Sequence, residues 1–296
     1  MRATGSAASA VAALLASGFF WGLTWLPLKH FAQHGLGGVA LTLVAYGGVG
    51  LLGLPLIWLQ RAAWRPQAGQ LLLICLLGGT ANLCFVNALM HGEVVRAMLL
   101  FYLAPMWSVL GGRLFLGERI TAGRIVTLGL SLVGAALVLG SGADLTAAFK
   151  STDLLALGSG FFYAMQNVAS RKADLVPTGT KAVAVFFGGG VLAVLLMLAF
   201  DLTVPPIAPM LALQVLGFGA WMAIAMWTTM YGVTHLEAGR SGVLLVAELV
   251  VAAVSAMLIA GERLEGLEWL GAALILIPAV AEARGDGKSN NTHAAA

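Results

Sequence analysis

Charge is what this sequence has least of. Only 10% of its 296 residues are Asp, Glu, Lys or Arg, whereas a soluble domain carries about 25%. With 16 basic and 13 acidic side chains, a 30.6 kDa soluble particle could not be coated. A soluble chain is excluded, and so is a disordered one, which needs low hydrophobicity and high charge. Cysteine is nearly absent. Cys75 and Cys84 share one apolar run on poorly matched helix faces, which leaves no disulfide framework. The five histidines form no HExxH and no Cys/His cluster, so no metal and no other cofactor is expected. No basic stripe accompanies the net charge of +3, and nucleic acid is therefore not an expected partner. A nucleotide-binding glycine loop is also missing, so ATP is not spent in this chain.

What is present is apolar: 60% hydrophobic residues, 38 glycines and a mean hydropathy of +0.93. A bilayer core roughly 30 Å thick takes about 20 apolar residues per crossing helix. Apolar runs of that length fall near 10–31, 38–60, 68–90, 94–116, 122–141, 153–171, 181–200, 210–231, 239–260 and 266–282. Short breaks such as His34-Gly35, Arg61 to Pro66 and Pro205-Pro206 separate them. The expected fold is an all-α polytopic membrane protein with ten transmembrane helices and no soluble domain. If the N-terminus is cytoplasmic, Arg2, Arg61, Arg65, Arg113, Arg119, Arg124, Arg171, Lys172, Lys181, Arg240, Arg284 and Lys288 share its side. Lys29, Arg96, Lys150 and Arg263 face the other. This positive-inside bias predicts cytoplasmic N- and C-termini. Residues 1–9 hold one charge ahead of a run long enough to span, which predicts an uncleaved anchor. Residues 284–296 read as a solvated tail.

Self-comparison exposes a duplication. Ser17-Gly18-Phe19-Phe20-Trp21 returns as Ser159-Gly160-Phe161-Phe162-Tyr163, 142 residues later. His91-x-Glu93-x-x-Arg96 returns as His235-x-Glu237-x-x-Arg240, and Gly117-Glu118-Arg119 as Gly261-Glu262-Arg263, both at an offset of 144. The first repeat occupies 10–141, a linker 142–152 and the second repeat 153–283. Five helices per repeat is an odd number, so the second copy enters the membrane upside down. Such inverted repeats are the architecture in which secondary transporters place a substrate near the midplane and alternate access to it.

The residues also resemble a family. Ten spans, a five-plus-five duplication, the aromatic stretch of the first helix and the segment from Pro105 to Gly117-Glu118 closing the fourth are similar to the EamA-type drug/metabolite transporter superfamily, over about residues 10–283. Within it the chain resembles the bacterial branch of aromatic and neutral amino-acid exporters, which implies a bacterial inner membrane, a small-molecule substrate and no obligatory protein partner. One departure is visible: Leu249 stands where the first half has Pro105.

Glu248 lies about ten residues into its span, hence roughly 14 Å deep at the helical rise. A carboxylate at that depth costs about 3 kcal/mol or more, so it faces protein or water. It reads equally as a proton-coupling or amine-binding group and as a carboxyl neutralised by a neighbour. Trp21, Tyr46, Asn82, Met98, Tyr102, Tyr163, Gln166, Asn167 and Trp227 fall on polar or aromatic helix faces. If these faces converge, they and Glu248 form an aromatic-walled site for a small amphipathic ligand. The alternative is that aromatic residues make interfacial belts and amides join helices. The pairs Glu93/Arg96 and Glu237/Arg240, at i,i+3 spacing, are candidates for intrahelical ion pairs, serving as gates or as caps. Pro105 should kink the fourth helix and act as a hinge.

The function expected is export of small amphipathic metabolites, aromatic and other neutral amino acids first. A multidrug or other metabolite carrier of the same fold is the alternative. A phosphorylated substrate would want a deep Lys or Arg, and none is placed there. An intramembrane enzyme would need a nucleophile beside a base, and no GxSxG or comparable constellation is present.

Overall fold

The computed structural model describes residues 2–117, 122–139, 150–235 and 248–277. Among them, six helical stretches are long and apolar enough to cross a membrane: Ala8–Gln33, Gly38–Leu59, Arg61–His91, Val94–Leu116, Thr178–Ala199 and Pro209–Thr229. Four further helices take the places of the other expected spans. They are Ala122–Leu139 and Ser151–Lys172, and the shorter Glu248–Ala260 and Gly266–Ile277. The expected spans 122–141, 239–260 and 266–282 run partly outside the described residues; most of the linker and the whole tail lie outside them. No strand occurs among the described residues.

Three spans that the sequence predicts as continuous are interrupted. The first divides into α1 (Arg2–Gly22) and α2 (Trp25–Gln33). Pro27 has no N–H to give the Leu23 carbonyl, which instead receives Leu26 N–H at 3.0 Å. The second begins with α3 (Gly38–Leu41), widens into a π-helical turn over Thr42–Gly47, and continues as α4 (Gly48–Leu59). The third expected span follows the short α5 (Arg61–Trp64) as α6 (Ala68–His91). The fourth divides into α7 (Val94–Phe101) and α8 (Ala104–Leu116), with Pro105 in the first turn of α8. Sequence reading expected a kink at Pro105; the helix instead breaks at Tyr102–Leu103, because the proline deprives the Phe101 carbonyl of its donor.

The chain continues as α9 (Ala122–Leu139), α10 (Ser151–Lys172), α11 (Thr178–Ala199), α12 (Pro209–His235), α13 (Glu248–Ala260) and α14 (Gly266–Ile277). The two halves interlock rather than sit side by side. The first helix of the second half, α10, packs on α6 of the first, and α1 packs on α12 of the second. The repeated serines explain part of this. Ser159 Oγ donates to Ala81 O on α6 at 3.0 Å, and Ser17 Oγ shares a short hydrogen bond with Thr229 Oγ1 on α12. The identical serines thus make corresponding contacts across the two halves. In an apolar solvent such contacts rely on close packing and interhelical hydrogen bonds, since burial gains little. At Gly188 of α11, a Cβ would overlap the Cys75 carbonyl of α6, so only glycine permits that approach.

One large buried cluster runs through α2, α6, α7, α12 and α13, including Trp25, Phe31, Tyr46, Phe85, Met98, Phe218 and Met222. Exposed leucines such as Leu52, Leu59, Leu198 and Leu216 form the outer surface, where acyl chains would lie.

Candidate functional site

The break between α7 and α8 places Tyr102 where neither helix covers it. Its hydroxyl lies within hydrogen-bonding reach of the Glu248 carboxyl at the start of the described part of α13 and of the Leu249 N–H. Glu248 is half-buried. On α10, Asn167 and Tyr163 stand one turn apart, beside Tyr102 and Glu248. The Tyr163 ring packs on Phe101 with centroids 5.4 Å apart, and Phe101 in turn meets Phe85 of α6 at 5.0 Å. Gly160 brings α10 onto the freed Phe101 carbonyl, against which any Cβ would press. Four expected residues, Tyr102, Tyr163, Asn167 and Glu248, therefore meet. They come from both halves of the chain. Tyr163 nonetheless keeps 43% of its surface open. Asn82, one turn before Phe85, is half-buried and makes no hydrogen bond with any described residue. A carboxylate, two phenols and the Asn167 amide beside aromatic rings can hold an ammonium group and an apolar side chain together.

Other expected residues lie elsewhere. Tyr46 and Met98 are buried in the core, each 1% exposed, and present no open surface. Tyr46 packs between Phe186 and Phe218, with its hydroxyl 3.9 Å from Met222 Sδ. Gln166 Nε2 donates to Ser170 Oγ at 3.0 Å, one turn along α10. Trp227 is 67% exposed and stacks on Tyr231, on the α12 face that also exposes Leu213, Leu216 and Ile224. That face turns away from the buried cluster. Trp221 points inward instead, its Nε1 donating to Phe20 O at 3.0 Å. Trp21 Nε1 donates to Thr229 Oγ1 at 3.1 Å, tying α1 to α12. Glu237 and Arg240 lie outside the described residues.

The ion pairs expected within the fourth helix are replaced by pairs between elements. Arg96 grips Asp153 of α10 through Nε and Nη2, both at 2.9 Å, with both residues buried. Glu93 takes Lys150 Nζ at 2.6 Å. Glu262 reaches from the turn after α13 to cap the N-terminus of α7. Its two oxygens accept Val94 N–H at 2.8 Å and Val95 N–H at 2.9 Å, and Lys29 Nζ lies 3.4 Å away. A carboxylate there satisfies orphan donors and complements the helix dipole. Both Gly-Glu-Arg motifs open on a left-handed glycine, Gly117 and Gly261 at φ 70°, which ends the preceding helix. Sequence reasoning missed Asp153, Lys150 and Glu262 as partners; the lone acid in the first turn of the sixth expected span was the available signal. Elsewhere, Gln67 clasps the turn between α10 and α11, its Nε2 donating to Asp174 Oδ1 at 2.6 Å and its Oε1 accepting Leu175 N–H. That amide hydrogen bond is the main reason the Asp174 carboxyl is held below the usual carboxylate range.

A stretch of 78 residues is 38% identical to a protein of Streptantibioticus cattleyicolor described as a probable terminal-alkyne amino-acid exporter. That match covers 25% of this chain and 26% of the relative. A solved crystal structure aligns with 93% of this chain and 97% of its own at a TM-score of 0.59 and 21% identity, a likeness of fold. The EamA-like transporter family matches residues 8–140 and again 150–280. With both halves of the sequence matching the same family, the chain belongs to the EamA-like transporters.

Proposed function

We propose that this protein is a secondary exporter of small amphipathic metabolites, aromatic and other neutral amino acids first, working by alternating access around a site shared by its two halves. The observation that carries the reading is the meeting of Tyr102 and Glu248 with Tyr163 and Asn167. A carboxylate suits an ammonium group, the amides and phenols suit a carboxylate, and the Phe85, Phe101 and Tyr163 rings suit an apolar side chain. The open surface of Tyr163 beside the Glu248 carboxyl supports a water-accessible space there, since polar groups are not left against lipid.

Opposite insertion of the two halves is supported by one end of the molecule. There the end of α2 at Lys29, the start of α7, the start of α10 and the end of α13 meet through ion pairs and the Glu262 cap. The first span of one repeat ends where its counterpart α10 begins, and α7 begins where its counterpart α13 ends. Lys29, Arg96, Lys150 and Arg263, the four basic residues assigned away from the cytoplasm, all belong to this end. Ten crossings, cytoplasmic termini and residence in a bacterial inner membrane follow from that reading. The amino-acid class draws support from the partial likeness to the terminal-alkyne amino-acid exporter.

Purified protein in liposomes should take up labelled phenylalanine above empty-liposome background, measured with and without a pH gradient. Failure to move any neutral amino acid would refute the substrate class and favour another metabolite or drug within the same fold.

A further inference from the structure

A pocket of about 320 Å³ lies at the ion-paired end, lined by the start of α7 and by the turn from Ala260 to Leu264, with Glu268 of α14. Its volume is at the low end of the range for small-ligand sites. The charges around it are unequally committed. Glu93 holds Lys150; Glu262 holds two α7 amides and Lys29; Glu268 accepts Glu265 N–H at 2.9 Å; Arg96 is locked to Asp153. Arg263, exposed at the pocket wall, makes no hydrogen bond or ion pair with any described residue.

Position adds to the argument. Of the two helices that flank this pocket, α7 ends at Tyr102 and α13 carries Glu248. Tyr102 is nine residues beyond Glu93, roughly 13 Å along the helix, and Glu248 is thirteen before Gly261, roughly 20 Å. The pocket therefore stands over the central pair, at the membrane end of the same helix interface.

We propose that this pocket is a second, outer binding site for a zwitterionic solute, in which Arg263 receives the carboxylate. A planar guanidinium offers paired donors matched to a carboxylate, and Glu93, which gives Oε1 to Lys150 and is 50% exposed, lines the same pocket with its second oxygen left for an ammonium group. The proposal rests on the amino-acid reading above and extends it with a docking step on the way to or from the centre. It also gives the second Gly-Glu-Arg motif two separate tasks, Glu262 holding the halves together and Arg263 meeting the solute.

The test uses the full chain in liposomes with Cys75→Ala and Cys84→Ala, and one reporter, Ala260→Cys, in the pocket wall; Leu264→Cys serves as a second reporter. Labelling rates are compared for a negatively and a positively charged methanethiosulfonate reagent. Arg263→Gln should lower the anionic-to-cationic ratio at least about fivefold, as loss of a nearby unit charge requires, and Arg263→Lys should retain most of it. Phenylalanine should slow labelling of the reporter, and phenylalaninamide, which lacks the carboxylate, should not. A ratio indifferent to Arg263, or equal protection by both compounds, overturns the proposal. Protection needs only binding, so it is scored whether or not phenylalanine crosses the membrane. Transport that fails while the ratio and the protection hold would refute the exporter reading and leave the docking site in place.

Discussion

Glu248 is the residue on which most rests. Depth alone marked it in the sequence; its partner Tyr102 was visible only as another polar position on a different helix. Glu248→Gln keeps the shape and removes the charge, and should lower phenylalanine transport about tenfold or more, about 1.4 kcal/mol in the barrier, with membrane insertion unchanged. Transport and pH dependence equal to the parent would remove the residue from the mechanism. Asp153 tests a different role. Losing one partner of a buried ion pair strands the other and costs about 3–5 kcal/mol, so Asp153→Asn should lower the thermal midpoint in detergent well below that of Lys150→Gln, whose exposed pair is worth little. Equal midpoints would contradict the buried-pair account. The same scale shows where single-sequence reading stops. Tyr46 and Met98 are deep, but depth does not separate a wall from a filled core. Trp227 and Trp221 are chemically identical and six residues apart, and only packing turns one outward and the other in.

Helix periodicity and hydropathy located the six long apolar stretches; they did not locate the interruptions. Proline marked two of them. At Pro27 and Pro105 the missing N–H disturbs the preceding turn, so the breaks fall at Leu23–Thr24 and Tyr102–Leu103, three residues or so upstream. The π turn over Thr42–Gly47 carries no comparable signal, although Thr42 Oγ1 back-bonds to Gly38 O at 2.7 Å there. Helix-to-helix partners were equally illegible, because Ser17 and Ser159 reveal their contacts only once α12 and α6 are placed against them. Pro105→Ala restores a donor to the Phe101 carbonyl and should let α7 run into α8, re-aiming Tyr102. Phenylalanine transport should fall severalfold while the thermal midpoint holds or rises; undiminished transport would show that the break is dispensable. Gly188→Val should prevent a folded product altogether, since the Cys75 backbone cannot retreat from the new side chain.

Across the whole molecule, the duplication was the most legible feature, because identical polar residues recur at fixed offsets in an otherwise apolar chain. It implied two like halves; it could not say that they interlock, with α10 on α6 and α1 on α12. Interlocking explains how residues of both halves reach one site, and how Glu262 of the second half caps α7 of the first. Opposite insertion is the claim that joins these observations to alternating access, and sidedness tests it most directly. Single cysteines replacing Lys150, Arg263, Arg65 or Lys172, in a background with Cys75→Ala and Cys84→Ala, would be exposed to a membrane-impermeant thiol reagent in intact cells. The account predicts labelling at 150 and 263 from outside, and at 65 and 172 only after permeabilisation. Labelling of 65 together with 150 from the same side would contradict it.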